Sequence, residues 1–546
     1  KAADKIRVYY QEGKLKVPRK YNYLMAYWEK GIKGITMPDY AASFHPKIWV
    51  IRYTANDQPP CFRFLITSRN LTNARDWDVA FSTEGNTGDA VVDKSLPLVH
   101  FLKYLEKAGG SPLPERFFND LSKTAFTLPD QFRRLNFYPI GIPDPDTGAL
   151  YANPLEEKTW DELLVISPFV QDNIINHFIR NSKKPIKLLS RKDELDTLNS
   201  DTINKVGEKN CYQFSEFIRG AEFLEELGEE SSIEPMPQNL HAKLFISKKG
   251  DNLHWFLGSA NATQPAFERN IEFIVELKGK DRKQYPATIL RMLTNTQDKI
   301  TLFEPYRRSD RDSQDLSKDK TRENDLRKIV YDLTKLPIKG SAEPVEGGAA
   351  YNLIISIDAT KLHMKKGYTV RLRPLPEEKK KAVQVMPGNL NVIKEFTGYT
   401  ETRLSPFVVW EVSDSEGLQE SFLAAMEITL PDTRLGKIFK SIIDSQDKFI
   451  KYLTFILTGT DAEVIGNNSN NRTKNGEPGA YAGWLQGAPV FEKLMLAASR
   501  YPERIESVNQ LIKRLKSETQ EGEDILPKDL EELLIVFDVY LQRAKA

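Results

Sequence analysis

Polar and apolar residues alternate over residues 5–10 (Lys-Ile-Arg-Val-Tyr-Tyr), the spacing of a half-buried strand. Short apolar runs at 48–51, 64–66, 163–170, 244–246 and 255–257 have the length of buried strands, and Ile32–Met37, Arg75–Phe81, Ile186–Ser190 and Asn270–Leu277 read as strands too. Helical patterns are expected over Tyr21–Gly31, His100–Ala108 and Gln171–Asn181. Around residues 163–190 the order is therefore strand, helix, strand.

The pattern changes twice along the chain. From Gly109 to about Pro154 it is rich in Pro, Gly and Asp, including Asp144-Pro145-Asp146-Thr147-Gly148, which is turn chemistry and reads as a connector. Arg307–Lys328 is dense in both charge signs and reads as a solvated linker or linker helix. Beyond it, strand-like runs at Leu353–Ile357, Tyr368–Leu372, Phe407–Val412 and Ala425–Thr429 predict a β-rich accessory domain. Helical spacing follows over Leu435–Thr458, Val490–Ser499, Pro502–Ser517 and Pro527–Arg543, broken by an Asn-rich loop at Gly466–Gly479. The expected units are 1–110, a connector at 111–155, 156–305, a charged linker at 306–348, a β-rich domain at 349–434 and a helical domain at 435–546.

At 546 residues, three or four compact units are expected. Lys plus Arg (77) balance Asp plus Glu (76), so the net charge of +1 leaves no global attraction for nucleic acid or anionic membranes, and any anion site must be local. Two cysteines, Cys61 and Cys211, are too few for a disulfide framework, are read as buried thiols, and point to a reducing, cytoplasmic setting. No apolar run approaches the roughly 18–20 residues of a membrane span.

The chemistry lies in a repeat. Phe44-His45-Pro46-Lys47 precedes a hydrophobic strand, then Ser68-Arg69-Asn70-Leu71; Leu240-His241-Ala242-Lys243 precedes another, then Ser259-Ala260-Asn261. In both copies His and Lys stand two apart, on one face of a strand. An acid follows each Asn, Asp78 in the first copy and Glu272 in the second. The chain has only six His, and two fall at equivalent positions. Paired His, Lys and Asn suit phosphodiester cleavage through a covalent phosphohistidine, with one His as nucleophile and the other as general acid and base. The Lys ammoniums and Asn amides would bind the non-bridging oxygens, a buried acid beside each His would fix its tautomer, and no metal or cofactor is required. Ser68 and Ser259 either support this site or serve their turns; Arg69 and Trp49 are candidates for backbone contact or base stacking. His100, His177, His254 and His363 lack a motif context and are read as structural.

This paired pattern resembles the phospholipase D superfamily, as does the strand Leu164-Val165-Ile166-Ser167-Pro168-Phe169. The Asp usual five residues after the Lys is replaced by Arg52 and Lys248, and Ser68-Arg69-Asn70-Leu71 with Trp77 following is similar to the tyrosyl-DNA phosphodiesterase branch. The resemblance covers roughly residues 1–305. It implies an α/β fold of two pseudo-symmetric phospholipase D-like units, mixed β-sheets flanked by helices, meeting at His45, Lys47, Asn70, His241, Lys243 and Asn261. It implies His45 as nucleophile and His241 as general acid, while the residues alone permit the reverse. The function expected is a nuclease cleaving DNA or RNA, in phage defence or nucleic-acid processing, with the C-terminal region selecting substrate or a protein partner. The alternatives are a phospholipid hydrolase or transferase, and a non-catalytic nucleic-acid-binding scaffold. Because Ser167 stands 74 residues before His241, its counterpart in the first copy should lie about 30 residues before residue 1, so a longer gene product is expected.

Overall fold

Two β-sheets share one hydrophobic core, and the repeated motifs lie where the sheets meet. In the computed structural model, which describes residues 3–70, 76–156, 158–216, 238–295, 301–308, 316–347, 350–388, 392–458, 490–518 and parts of 533–539, the strands before the charged linker number fourteen. They are β1 (Val8–Gln11), β2 (Ile32–Ile35), β3 (Ile48–Tyr53), β4 (Cys61–Thr67), β5 (Ala80–Thr87), β6 (Thr124–Phe126), β7 (Phe132–Ile140), β8 (Glu162–Ile166), β9 (Lys187–Ser190), β10 (Cys211–Phe214), β11 (Leu244–Lys249), β12 (Asn252–Gly258), β13 (Glu272–Gly279) and β14 (Phe303–Pro305). The acidic stretch Glu222–Glu230, the loop Gly466–Gly479 and most of the helix expected over Pro527–Arg543 lie outside the described residues.

β3-β4-β5-β6 form an antiparallel sheet, β1 and β2 a parallel pair, and β14-β10-β9-β8-β11-β12-β13-β7 an eight-stranded mixed sheet. Period-two alternation sorts the side chains of the large sheet. Leu164, Ile166, Leu244, Ile246, Phe273 and Val275 face Phe62, Phe64 and Ile66 of β4 in the shared core. Leu163, Val165, Phe245, Phe256 and Ile274 face the other way, onto Ile174, Ile175 and Phe178 of the helix Asp172–Asn181. The sheets interlock through aromatic rings: Phe64 of β4 lies 4.9 Å from Phe137 and 6.0 Å from Phe273, and Phe101 lies 5.0 Å from Phe273. Gly258 leaves room beside β13 of its own sheet and for Ile66 of the other, since a Cβ there would stand 2.1 Å from the Phe273 carbonyl oxygen and 3.0 Å from Ile66 Cδ1.

Several expectations differ from what forms. The segment read as a connector carries the helix Glu115–Ser122, β6 and β7, because Leu135 and Phe137 alternate inward against β13. Tyr21–Gly31 forms only a short 3-10 turn at Tyr23–Tyr27. Tertiary contacts override its helical spacing: Tyr21 and Met25 pack on Phe407, Val409 and Leu423 of the C-terminal region, and Glu29 pairs with buried Arg434 at 2.6 Å. Cys61 is half-buried rather than buried, lying on the outer face of β4; Cys211 is buried.

The C-terminal region is β-rich and then helical, as expected. Sheets of β15 (Ile338–Pro344), β16 (Tyr351–Ile357) and β19 (Val392–Tyr399), and of β17 (Tyr368–Pro374), β18 (Val383–Gln384), β20 (Phe407–Asp414) and β21 (Gln419–Ala425), share a core with the helix Leu316–Thr334. The strand expected at Ala425–Thr429 instead ends at Ala425, and Leu435–Thr458 divides into helices Arg434–Ile442 and Gln446–Thr458. No helix among the described residues is long and apolar enough to cross a membrane.

Phe64→Ala removes the ring that joins the two sheets and should cost about 3–5 kcal/mol of stability, read from urea unfolding.

Candidate active site

Each half lends backbone to the other at the motif histidines. Phe44 forms a parallel bridge with Ile271, so that the His45 amide donates to the Ile271 carbonyl at 2.9 Å and the Ile271 amide to the Ser43 carbonyl at 2.9 Å. Trp77 forms the matching bridge with Leu240: its amide donates to the Asn239 carbonyl at 2.8 Å, and its carbonyl accepts from His241 at 2.8 Å. In both, the residue before the motif His pairs with the residue before the acid of the other copy. This brings His45 to Glu272 across 227 sequence positions.

The surroundings of His45 fix its tautomer. Its Nδ1 lies 3.0 Å from Glu272 Oε2 and 3.0 Å from the Ser259 carbonyl oxygen, two acceptors, so Nδ1 carries the proton and Nε2 keeps its lone pair. Glu272 is fully buried, receives hydrogen bonds from the Ser259 hydroxyl and from Asn270 Nδ2 (2.9 Å), and Asn270 in turn accepts from the Ser43 amide at 3.0 Å. Burial alone would raise the Glu272 carboxyl; the charges of His45 and Lys47 and the bonds from His45 and Ser259 outweigh it and hold it below the usual range.

The surroundings of His241 are of opposite sign. Its Nδ1 lies 3.0 Å from Lys243 Nζ, which also donates to the His241 carbonyl at 2.8 Å. An ammonium donating to Nδ1 leaves the proton of a neutral ring on Nε2. Burial, Lys243, Lys47 and Arg191 push the imidazole down to about 3, so it is neutral at pH 7. Lys47 donates to the His45 carbonyl, as Lys243 does to that of His241. Burial lowers Lys47 to about 7 despite Glu272 and Asp78, and burial with the charge of Lys47 carries Lys243 well below its ordinary value.

The acids of the two copies therefore differ. Asp78 is exposed and accepts from the Val79 amide at 2.8 Å, while Glu272 is sealed against a histidine. The two serines match: the Ser68 hydroxyl accepts from Val79 at 3.2 Å and the Ser259 hydroxyl from Phe273 at 2.9 Å, and both are fully buried turn residues. Asn70 is exposed, whereas the buried Asn261 Oδ1 has no hydrogen-bond partner among the described residues.

Two contributors were not evident from the motif. Arg191, just after β9, donates from Nε (2.8 Å) and a terminal nitrogen (2.6 Å) to the Leu240 carbonyl and lies 4.8 Å over the Phe169 ring, adding charge beside His241. Asn270 steadies Glu272; its only signal in sequence was its place two residues before the acid. Arg52 and Lys248 are engaged away from the histidines: Arg52 Nε with Asp120 at 3.0 Å, Lys248 over the Tyr285 ring at 5.3 Å. His254 lies outside the site, its Nδ1 2.8 Å from buried Glu276. Trp49 stands on the exposed outer face of β3.

No protein-family model matches the sequence, and no curated protein matches it. Among solved structures, a polyphosphate kinase from Porphyromonas gingivalis is similar over 60% of this chain and 46% of its own, at 15% identity and a TM-score of 0.31. The chain thus spans less than half the length of that protein.

Glu272→Gln removes the carboxylate from His45 Nδ1 and should lower turnover of any reaction that uses the His45 lone pair by on the order of 100-fold, read as kcat. Lys47 is an ammonium below pH 7 and loses its charge above, so kcat/KM for an anionic substrate should fall as pH rises through about 7. Lys47→Arg, which stays charged, should move that alkaline limb upward by about two pH units or more.

Proposed function

We propose that the chain is a metal-independent phosphodiesterase that cleaves DNA or RNA through a phosphohistidine on His45. The observation that carries this reading is the opposed setting of the two imidazoles: His45 Nδ1 faces a carboxylate and His241 Nδ1 faces an ammonium. One ring is thereby left with a free lone pair, the other with an outward N–H.

In the first step His45 Nε2 attacks phosphorus. The P–N bond forms as the P–O bond to the leaving group breaks, and Glu272 stabilises the imidazolium so produced. Lys47, Lys243 and the Asn70 and Asn261 amides hold the non-bridging oxygens. An amide flip presents Asn261 Nδ2 where its unpartnered oxygen now stands. The negative phosphodiester offsets the lysine charges that keep His241 neutral, so the ring takes up a second proton from solvent and passes the one on Nε2 to the leaving oxygen. In the second step His241 accepts a proton from water, the water oxygen attacks phosphorus, and the P–N bond breaks to restore His45.

Nucleic acid is favoured over phospholipid because Arg52 and Lys248 stand where the resembled superfamily usually carries Asp. A part in nucleic-acid processing or phage defence belongs to the same proposal, with the C-terminal region as the substrate- or partner-selecting element.

Labelled single- and double-stranded DNA, RNA and a phospholipid, each incubated with EDTA, test it. Cleavage of a nucleic acid by the wild type is expected to fall below about 10⁻³ of its rate in His45→Ala. His241→Asn should retain slow attack on an activated ester and accumulate a phosphoryl group on His45, seen by mass spectrometry at neutral pH. Nucleic-acid cleavage that persists in both variants, or a phosphoryl group on His241, would overturn the assignment.

A further inference from the structure

The strand that carries Glu272 at one end carries an unusual row of bases at the other. On β13, Lys278 pairs directly with Arg134 of β7 on one side and with His254 of β12 on the other. Residues so opposed on antiparallel strands share a face, so two permanent cations and an imidazole stand in one line across three strands. Like charges directly opposite each other repel and weaken a sheet. Nothing in the folding of β7 or β13 calls for Arg134 and Lys278 to face each other.

Neighbouring acids do not relieve the repulsion. Arg133, Arg134, Asn252, His254, Lys278 and Lys280 line a pocket of about 460 Å³, and among the described residues no Asp or Glu lines it. Arg133, Arg134 and Lys280 are exposed and form no ion pair with a carboxylate among the described residues. Cations on other strands of the two sheets are matched, as Arg63 is with Glu84 and Lys158 with Glu276 at 3.0 Å.

The wall of the pocket is built from the interior. Glu276, fully buried, accepts from the Tyr138 hydroxyl at 2.7 Å, from Asn136 Nδ2 at 2.9 Å and from Lys158 Nζ at 3.0 Å, and its Oε1 lies 2.8 Å from His254 Nδ1. Burial alone would raise the Glu276 carboxyl; the bonds from His254, Asn136 and Tyr138 and the charge of Lys158 outweigh it and hold it well below the usual range. An ionised carboxylate places the proton of His254 on Nδ1, and the ring is stacked parallel to Phe256 with centroids 6.1 Å apart. The remaining ring nitrogen, Nε2, has no partner among the described residues. With Glu276 behind it to stabilise an imidazolium, that nitrogen is placed to donate to an anion.

We propose that this pocket is a second anion site, separate from the histidine pair, that takes a ligand carrying two or more linked phosphate groups. Lys278 lies six residues beyond Glu272 on β13, about 20 Å away at roughly 3.4 Å per residue. The four Lys and Arg charges exceed what one phosphate neutralises, guanidinium forks suit paired phosphate oxygens, and the volume is that of a ligand pocket. A phosphate group between Arg134 and Lys278 turns their mutual repulsion into two attractions. Linked phosphates of this kind belong either to a small phosphorylated ligand or to a nucleic-acid backbone.

The test is independent of any catalytic activity. Inorganic pyrophosphate is titrated calorimetrically, with EDTA and in about 0.15 M salt, where charges more than about 8 Å apart are largely screened. The wild type is compared with the triple variant Arg133→Gln, Arg134→Gln, Lys280→Gln and with Lys47→Gln at the histidine site. The triple variant should weaken one binding event by at least about tenfold, and Lys47→Gln should leave that event unchanged. Without ligand, the triple variant should match or exceed the urea midpoint of the wild type, because it removes repulsion and no ion pair. A single-stranded DNA oligonucleotide that displaces pyrophosphate from the pocket gives the site to a nucleic-acid backbone; one that does not gives it to a small phosphorylated ligand. Unchanged pyrophosphate affinity in the triple variant, binding lost in Lys47→Gln alone, a lowered urea midpoint in the triple variant, or no binding by the wild type at about millimolar pyrophosphate would each overturn the proposal.

Discussion

The crossed backbone pairing of Phe44 with Ile271 and of Trp77 with Leu240 is the constraint on which the site depends. Each bridge fixes the position of a histidine from one half against a segment of the other, and the carboxylate that meets His45 comes from the other repeat. The aromatic seam of Phe64, Phe137 and Phe273 holds the sheets at the separation those bridges require. The stability of the core and the geometry of the chemistry are in this sense one property.

Within that frame the charges are set against stability. Two lysines, 7% and 1% exposed, lie so that burial and then the charge of Lys47 lower the proton affinity of Lys243, and the fully buried Glu272 near them is already committed to His45. Burying like charges costs folding free energy that apolar side chains would not, and such a cost persists where an anion is to be received. Burial and the same cationic field keep His241 neutral.

Much of this was legible in sequence because its signals are local. His and Lys two apart on a strand, a small-residue turn with Asn, and an acid opening the next strand each occupy a few consecutive positions, and repetition separated them from chance. The partner of His45 was not legible, since its contact with Glu272 spans the two halves. Sequence placed an equivalent acid beside both histidines; the fold seals Glu272 and leaves Asp78 in solvent. Arg191 was missed because its role depends on reaching a backbone carbonyl, which any residue type at position 240 would offer. Tyr21–Gly31 misled for a related reason: the apolar residues Tyr21 and Met25 pack on the cluster of Phe407, Val409 and Leu423, some 380 residues away, and do not form a helix face.

The unequal acids have a consequence for direction. A site assembled from two identical subunits would give both imidazoles the same neighbours, and either could begin the reaction. Joining the halves in one chain frees the two carboxylate positions to diverge, so that one imidazole lies against a buried carboxylate and the other does not. In the proposed reaction, which end of the substrate departs would follow from the orientation in which it enters, a handedness that symmetry would have denied.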